Sequence, residues 1–218
     1  MCSSDLLPRP DRGDLIWPAW FKGEWEVSSS PAAGHDPPLH WRARFLADGG
    51  GAVVADRSFN AGEIGKALLG DQLLAVRNDP SNPNRQLARL RGDRQLESTV
   101  VGRRSARPDA NTFLADELTL QVLHGPENPR ISRIEVLGLW QLSADGSITG
   151  EQWQVSYASP AAGAVASAER PQHVSLRLVP GPAGSDPSTG TAAPATGDRP
   201  GPPPPAPRAA RQIGRAHV

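Results

Sequence analysis

Arginine side chains are the groups in this sequence that are best suited to bind a charged ligand. Of the 23 Lys and Arg residues, 21 are arginine, and eight of these lie between positions 77 and 107 with only three acidic residues. A guanidinium group holds a carboxylate or a phosphate through two parallel hydrogen bonds. If part of this set points into the fold or its mouth, it could receive such a group; the alternative is an arginine-decorated outer face paired with acids elsewhere. The candidate ligand-binding residues are Arg57, Arg85, Arg89 and Arg103.

Patterns for catalysis, cofactors and metals are missing from the sequence. There is no Gly-x-Ser-x-Gly, no Ser-x-x-Lys and no cysteine near a histidine, so no nucleophile motif is visible. Neither a Walker A pattern nor a Gly-x-Gly-x-x-Gly after a strand occurs, and the histidines are scattered. The single cysteine, Cys2, excludes an internal disulfide. We therefore expect a non-enzymatic protein without catalytic residues, metal ligands or cofactor.

Charge and hydropathy restrict the partners of the chain. The formal net charge is zero, and the arginine-rich stretch lacks the interleaved aromatic residues of a single-stranded nucleic-acid surface, so we expect no nucleic-acid partner. No run of 18 apolar residues occurs, so we expect no transmembrane segment.

Alternating apolar and polar residues predict that these arginines are carried by strands. Residues 39–45 alternate most cleanly, with Leu39, Trp41, Ala43 and Phe45 on one face. Similar segments at 23–29, 52–59, 73–77, 85–91, 94–103, 112–123, 131–142, 147–157 and 173–179 give about nine or ten strands joined mainly by short turns. Asn60 followed by Glu63 is typical of a capping box and predicts one short helix over residues 61–69.

This pattern predicts an all-β fold, because parallel sheets need helical crossovers between their strands. We expect an antiparallel up-and-down barrel of about nine to ten strands, in which closure removes exposed edges; a β-sandwich is the alternative. The barrel domain should span residues 14–180. Residues 1–13 read as a flexible arm, and residues 181–211 as a Pro/Gly/Ala-rich disordered tail. Residues 212–218 match the translation of a common sequencing adapter, and we interpret them as an artefact.

The segment Trp17–Val27 holds three of the six tryptophans and should anchor one end of the core. The motif Phe21-x-Gly-x-Trp25 within it resembles the opening signature of lipocalin-like (calycin) barrels. That resemblance implies that Trp25 closes the base of the barrel, with Arg177 of the last strand as its partner and with Trp20 and Phe21 capping that end. Any ligand should then bind at the opposite mouth.

More of the chain resembles a family of cyanobacteria and plastids to which no function is attached. The similar pieces are residues 14–25, 55–60, 79–86 and 92–105. The resemblance implies a photosynthetic source and export to the periplasm or thylakoid lumen. Cys-Ser-Ser at positions 2–4 is typical of a lipid-anchored lipoprotein if the start is misassigned; otherwise we expect a cytoplasmic protein.

Two functions follow as expectations. The first is the binding of a small apolar or amphipathic molecule, such as a pigment or a lipid, in the barrel or its mouth. The alternative is an accessory protein that contacts a photosynthetic membrane complex through an arginine-rich outer surface. Bilin lyase-like activity is a further option, because some bilin lyases use calycin barrels.

Overall fold

A computed structural model of the chain describes residues 7–32, 37–157 and 171–181. The described residues form eleven strands and one α-helix. The strands are β1 Ile16–Trp17, β2 Gly23–Pro31, β3 Leu39–Ala47, β4 Val53–Ala55, β5 Leu73–Asp79, β6 Asn82–Leu90, β7 Arg94–Ala106, β8 Thr112–His124, β9 Arg130–Leu142, β10 Ile148–Tyr157 and β11 Gln172–Pro180. The helix α1 spans Arg57–Leu69, and short 3₁₀ turns cover Ala19–Phe21 and Gly70–Gln72.

All eleven strands belong to one antiparallel sheet. Its order is β1-β4-β3-β2-β11-β10-β9-β8-β7-β6-β5, so most neighbours in the sheet are also neighbours in the chain. The sheet curls into a half-barrel, which confirms the predicted all-β, antiparallel up-and-down class with one short helix. The two edge strands, β1 and β5, are not paired with each other, so hydrogen bonds do not close the barrel.

Two elements bridge the open side of the half-barrel. The helix α1 contacts both β3 and β5. The segment 7–15 approaches β7, where the amide of Arg103 donates to the carbonyl oxygen of Pro8 at 2.8 Å, and then leads into β1, which pairs with β4. Leu7 is buried beside Gly102, where a Cβ atom would lie only 2.8 Å from the Cβ of Leu7. Position 102 therefore requires glycine, because any larger residue would clash with Leu7 where the N-terminal segment approaches β7.

A group of aromatic side chains fills one end of the inner face of the sheet. This aromatic cluster consists of Trp17, Trp20, Phe21, Phe45, Phe113 and Trp140. Its rings meet mostly edge to face, with centroids 4.6 Å apart for Trp17 and Phe21, as the aromatic quadrupole favours. Phe21 and Phe113 are fully buried, so packed rings occupy this end of the inner face.

Trp25 belongs to the same buried core as the aromatic cluster, but Arg177 is not its partner. Trp25 lies on the inner face, and its Nε1 donates to the carbonyl oxygen of Phe21 at 2.7 Å. Trp20 donates instead to Ala110 O at 3.1 Å. Arg177 is opposite Ser28 on β2, on the outer face, because its strand neighbours Leu176 and Leu178 take the inner positions. The sheet therefore separates Arg177 from Trp25.

The sequence-based boundaries need two corrections. The predicted strand 52–59 ends at Ala55, and α1 begins at Arg57, four residues before the predicted start. The N-cap is Asp56, whose side chain accepts from the amide of Phe59, so Asn60 is not the cap. Of the predicted flexible arm 1–13, the structure describes residues 7–13, in which Leu7 is buried, the carbonyl oxygen of Pro8 accepts from Arg103 N of β7, and residues 11–13 are exposed. The predicted tail and adapter residues, from 182 to the end, and Cys2 lie outside the described residues.

Candidate functional site

Two of the four candidate arginines, Arg57 and Arg103, meet in a buried ion network on the open side of the half-barrel. Both point at Glu117 of β8, with nitrogen-to-oxygen distances of 2.8 Å each. The Arg57 Nε also donates to Asp14 at 2.8 Å, and Arg103 also donates to the carbonyl oxygen of Gly13 at 3.1 Å. The network thus joins α1, the N-terminal segment, β7 and β8.

The charges of this network balance one another. Burial alone would raise the pKa of Glu117, but the charges and hydrogen bonds of Arg57 and Arg103 outweigh it and lower that pKa. Burial alone would lower the pKa of Arg57, but the charges and hydrogen bonds of Glu117 and Asp14 outweigh burial and raise that pKa. Two arginines face two carboxylates, so the network holds no spare positive charge for a ligand. We assign Arg57 and Arg103 to the closure of the open side.

The other two candidates, Arg85 and Arg89, lie on the outer face of β6. Arg85 pairs with Asp79 and with Glu97, whose carboxylate is 3.2 Å from its Nη1. Arg89 is exposed, opposite Gln95 of β7. The structure therefore does not bring the four candidates together. The arginines of residues 77–107 are divided between the two faces of the sheet. The sequence alone did not show which face each of them occupies.

A polar cluster interrupts the outer face of β8 to β10. Asp116 is buried there, and among the described residues only one of its oxygens has a partner, the Arg104 guanidinium at 3.2 Å. Burial raises the pKa of the Asp116 carboxyl, and the nearby charge of Glu135 acts in the same direction. Burial, and the hydrogen bond that Tyr157 donates to Glu135, raise the pKa of Tyr157 to about 12.

A second outer cluster joins His173, Glu151 and Ser175 on β10 and β11. The His173 Nε2 is 2.7 Å from the Glu151 carboxylate, which also accepts from the Ser175 hydroxyl at 3.0 Å. The serine therefore donates to the carboxylate and not to the imidazole, so the cluster lacks the nucleophile–base contact of a catalytic triad. Within the described residues, no group of three or more His, Cys, Asp or Glu side chains is placed to hold a metal ion.

The side chains of the inner face change from aromatic to polar and aliphatic along the strands, and this change defines the candidate site. Phe113 is opposite Trp140, which is opposite Gly150. The indole of Trp140 lies flat over Gly138 and Gly150, since a Cβ on either glycine would come within 2.7 Å of it. Beyond this ring the aromatic side chains end.

The next rungs of the inner face are a mixture of amide, hydroxyl and aliphatic side chains. Glu117 is followed by Thr119 and Gln121 on β8, and the facing residues are Val136, Ile134 and Ser132 on β9. Gln152 and Gln154 continue these rungs on β10, and Val174 continues them on β11. We call this surface the inner trough; it consists of Thr119, Gln121, Ser132, Ile134, Val136, Gln152, Gln154 and Val174, all of which are half-buried.

The inner trough leads to a cleft at the β8–β9 turn. The last rung pairs Leu123 with Arg130, and both residues line this cleft of about 250 Å³. Arg94, His124 and the turn residues 125–128 complete its wall. We call it the hairpin cleft. Sequence reasoning missed both the trough and the cleft; the only available signal was the alternation of Gln152, Gln154 and Ser156 along β10.

Within the described part of the chain, no helix combines the length and the hydropathy that crossing a membrane requires.

Comparison with curated proteins and with solved structures finds no match to this chain. A family model described as a domain of unknown function (DUF6816) matches residues 32–177. The match runs from the end of β2 into β11 and includes the trough and the hairpin cleft. Because it covers more than half of the 218 residues, the chain belongs to the DUF6816 family.

Proposed function

We propose that the protein binds an amphipathic small molecule in the inner trough, at the end of the half-barrel away from the aromatic cluster. The observation that carries this proposal is the division of the inner face. One half is filled by packed rings, whereas the other presents aliphatic groups between amides and hydroxyls. Ligand sites are concave surfaces that combine apolar side chains with polar groups that fix orientation; three of the trough residues are aliphatic and five carry an amide or a hydroxyl.

The polar side chains of the trough are available for a ligand. Within the described residues, Gln152 and Gln154 make no side-chain hydrogen bond, and the amide nitrogen of Gln121 has only a 3.5 Å contact with Ser98. The amide oxygen of Gln121 is buried and has no hydrogen-bond partner among the residues that the structure describes. A buried amide that lacks partners costs free energy, which a ligand with hydrogen-bonding groups would recover.

Pockets for small ligands usually have volumes of about 300–1,000 Å³. The hairpin cleft is smaller, and within the described residues the trough side chains keep part of their surface accessible. An open trough suits an elongated molecule, whose polar and apolar parts can follow the rungs. A lipid or an elongated pigment from a photosynthetic cell fits this description, and the resemblance to lipocalin-like barrels supports the same class of ligand.

The alternative of an accessory protein has less support. Among the arginines assigned to an outer surface, Arg85 and Arg104 are paired with carboxylates. Arg77, Arg89, Arg91 and Arg107 are exposed and make no ion pair within the described residues, but Arg91 donates to the main chain of Asp71 and Arg107 lies over the ring of Phe113. The two that remain, Arg77 and Arg89, are a small basis for recognising a membrane complex, so we favour the ligand.

The test uses N-phenyl-1-naphthylamine, an uncharged amphipathic dye whose fluorescence rises in apolar sites. Thr119 lies in the trough opposite Ile134, and Thr149 is exposed on the outer face opposite Arg177. We expect Thr119→Trp to fill the trough and weaken dye binding at least about tenfold, and Thr149→Trp to leave it unchanged. Val136→Gln, a milder change in the trough, should weaken binding several-fold.

Circular dichroism of each variant checks that the fold is retained. Native mass spectrometry of protein purified from a pigment-containing host would then identify the natural ligand. The proposal is wrong if the wild type does not bind the dye, or if both tryptophan variants bind it equally.

A further inference from the structure

We propose that the polar group of this amphipathic ligand is an anion, a carboxylate or a phosphate, and that Arg94 and Arg130 receive it in the hairpin cleft. The inference rests on the proposed function, because it places the ligand's head at one end of the inner trough. It assigns a role to two arginines that the sequence did not select.

The first argument is position. Arg130 faces Leu123 across β8 and β9, and Leu123 lies on the inner face, two residues beyond Gln121. Arg94 begins β7, and its side chain lies against Gly125, where a Cβ atom would be 3.3 Å from its Cγ. Both arginines therefore line the cleft in which the trough ends.

The second argument is the contrast with the other arginines of the sheet. Arg57 and Arg103 on the inner side are each held by carboxylates, as are Arg85 and Arg104 on the outer face. Arg130, by comparison, makes no ion pair or hydrogen bond to a described residue. Arg94 donates only its Nε, to the carbonyl oxygen of Arg91 at 3.1 Å. The terminal guanidinium nitrogens, which bind anions bidentately, are thus unengaged by the described residues.

The third argument is the balance of charge in the cleft. Glu127 is the acidic residue of the wall, and no ion pair joins it to a described cation. Two arginines against one carboxylate leave a net positive charge in a partly enclosed space. A carboxylate or phosphate placed there is attracted to both arginines.

The neighbouring rung adds a further polar group. Gln121 faces Ser132 one rung inside the cleft. Turning its side-chain amide by 180° would let the Ser98 hydroxyl donate to the amide oxygen and would direct the amide N–H groups at a ligand. From Leu123 to Glu117 the trough spans six residues of strand, about 20 Å, which accommodates an extended alkyl chain.

The experiment compares three probes that share one alkyl chain: decanoate, decyl phosphate and decanol. Isothermal titration calorimetry of the full-length protein below the micelle concentration gives their affinities. We expect at least one of the two anions to bind about tenfold or more tightly than decanol, since a charge-assisted bidentate contact is stronger than a neutral one. The stronger of the two anions identifies a carboxylate or a phosphate head.

Variants localise the head. Arg94→Gln and Arg130→Gln should each reduce anion affinity about tenfold and leave decanol binding unchanged. Glu127→Gln should increase anion affinity, because it removes a like charge. Arg89→Gln, which removes an exposed arginine from the outer face, is the matched control and should have no effect.

The outcomes separate this inference from the function on which it rests. If the uncharged dye binds but the anions bind no better than decanol, the anionic head is wrong and the trough remains a binding site. Equal losses in Arg94→Gln and Arg89→Gln would also overturn it. If neither the dye nor any of the three probes binds, both proposals fail.

Discussion

The arginines of this sheet occur in three different environments, which differ in the carboxylates around each guanidinium group. Arg57 and Arg103 share Glu117 in a buried network, where the loss of one member would leave a charge without its partner. Arg85 is satisfied by acids on the outer face. Arg94 lines a cleft. All three environments place arginine on a strand or a helix start, so residue type and spacing could not distinguish them.

Asp116 supports a prediction about pH at the residue scale. Its raised pKa means that the folded state binds the carboxyl proton more tightly than the unfolded chain does. The ionised carboxylate therefore destabilises the fold. This destabilisation is absent below the ordinary pKa of about 3.9 and reaches its full size once the pH exceeds the pKa of Asp116 in the folded protein. We expect Asp116→Asn to increase the free energy of unfolding by about 1 kcal/mol at pH 7 and by less at pH 4.

Urea unfolding at pH 4, 5.5 and 7 measures this difference. Asp71→Asn removes the same charge from an exposed turn and serves as the control. A destabilising effect of Asp116→Asn that grows from pH 4 to pH 7 would contradict the account, because it would mean that the ionised form is the favoured one in the fold.

At the scale of elements, β10 explains why the trough was not predicted. Alternation in a strand predicts that its apolar residues face the core. In β10 the apolar residues Trp153 and Val155 face outward, and Gln152 and Gln154 face inward, because Ile148 sets the phase of the strand by its full burial. The strand itself was predicted correctly. Its orientation was not visible, since both faces of this sheet carry apolar groups.

The helix start shows a related limit. Asn60 with Glu63 has the spacing of a capping box, but Asp56 provides the cap, and the Asn60 side chain binds the main chain of β3 instead. β4 covers only the last residues of β3, and although Asp56 N donates to the carbonyl oxygen of Arg44 at 2.9 Å, the amide of Arg44 would otherwise be unpaired. The Asn60 side chain accepts from Arg44 N at 2.7 Å and donates to Arg44 O at 3.1 Å, as a neighbouring strand would. Sequence spacing cannot distinguish a cap from a tertiary hydrogen bond.

This contact gives the prediction for the helix. Asn60→Ala removes both hydrogen bonds and leaves the Arg44 amide without a partner, so we expect a loss of about 1–3 kcal/mol in the free energy of unfolding. Asn60→Asp keeps the acceptor and should lose less. Lys66→Ala, on the exposed side of the same helix, is the control.

Urea unfolding gives the stabilities, and amide hydrogen exchange gives the site. The exchange rate of the Arg44 amide should rise in Asn60→Ala and not in Lys66→Ala. If Asn60→Ala and Lys66→Ala are equally stable, the side chain of Asn60 does not protect the edge of β3.

At the scale of the whole molecule, the class of the fold was predictable because it depends on repeated local signals. Ten of the eleven strands and the short turns between them follow from alternation and turn residues, and short turns require antiparallel neighbours. The manner of closure was not predictable. It depends on contacts between distant segments, such as Asn84 of β6, whose side chain donates to the carbonyl oxygens of Asp11 and Gly13.

The N-terminal segment therefore gives the last prediction, because it crosses the side that the sheet leaves open. Deletion of residues 1–13 removes the burial of Leu7, the bond from Arg103 N to Pro8 O and the two acceptors of Asn84. Burying a leucine contributes about 1.5–3 kcal/mol, and a net hydrogen bond about 1 kcal/mol. We expect the deletion to lower the free energy of unfolding by about 3 kcal/mol and to speed the exchange of the Arg103 amide. Deletion of residues 182–218, which composition predicts to be disordered, should leave both quantities unchanged. Equal unfolding midpoints for the two deletions and the full-length chain would show that α1 alone is sufficient to bridge the half-barrel.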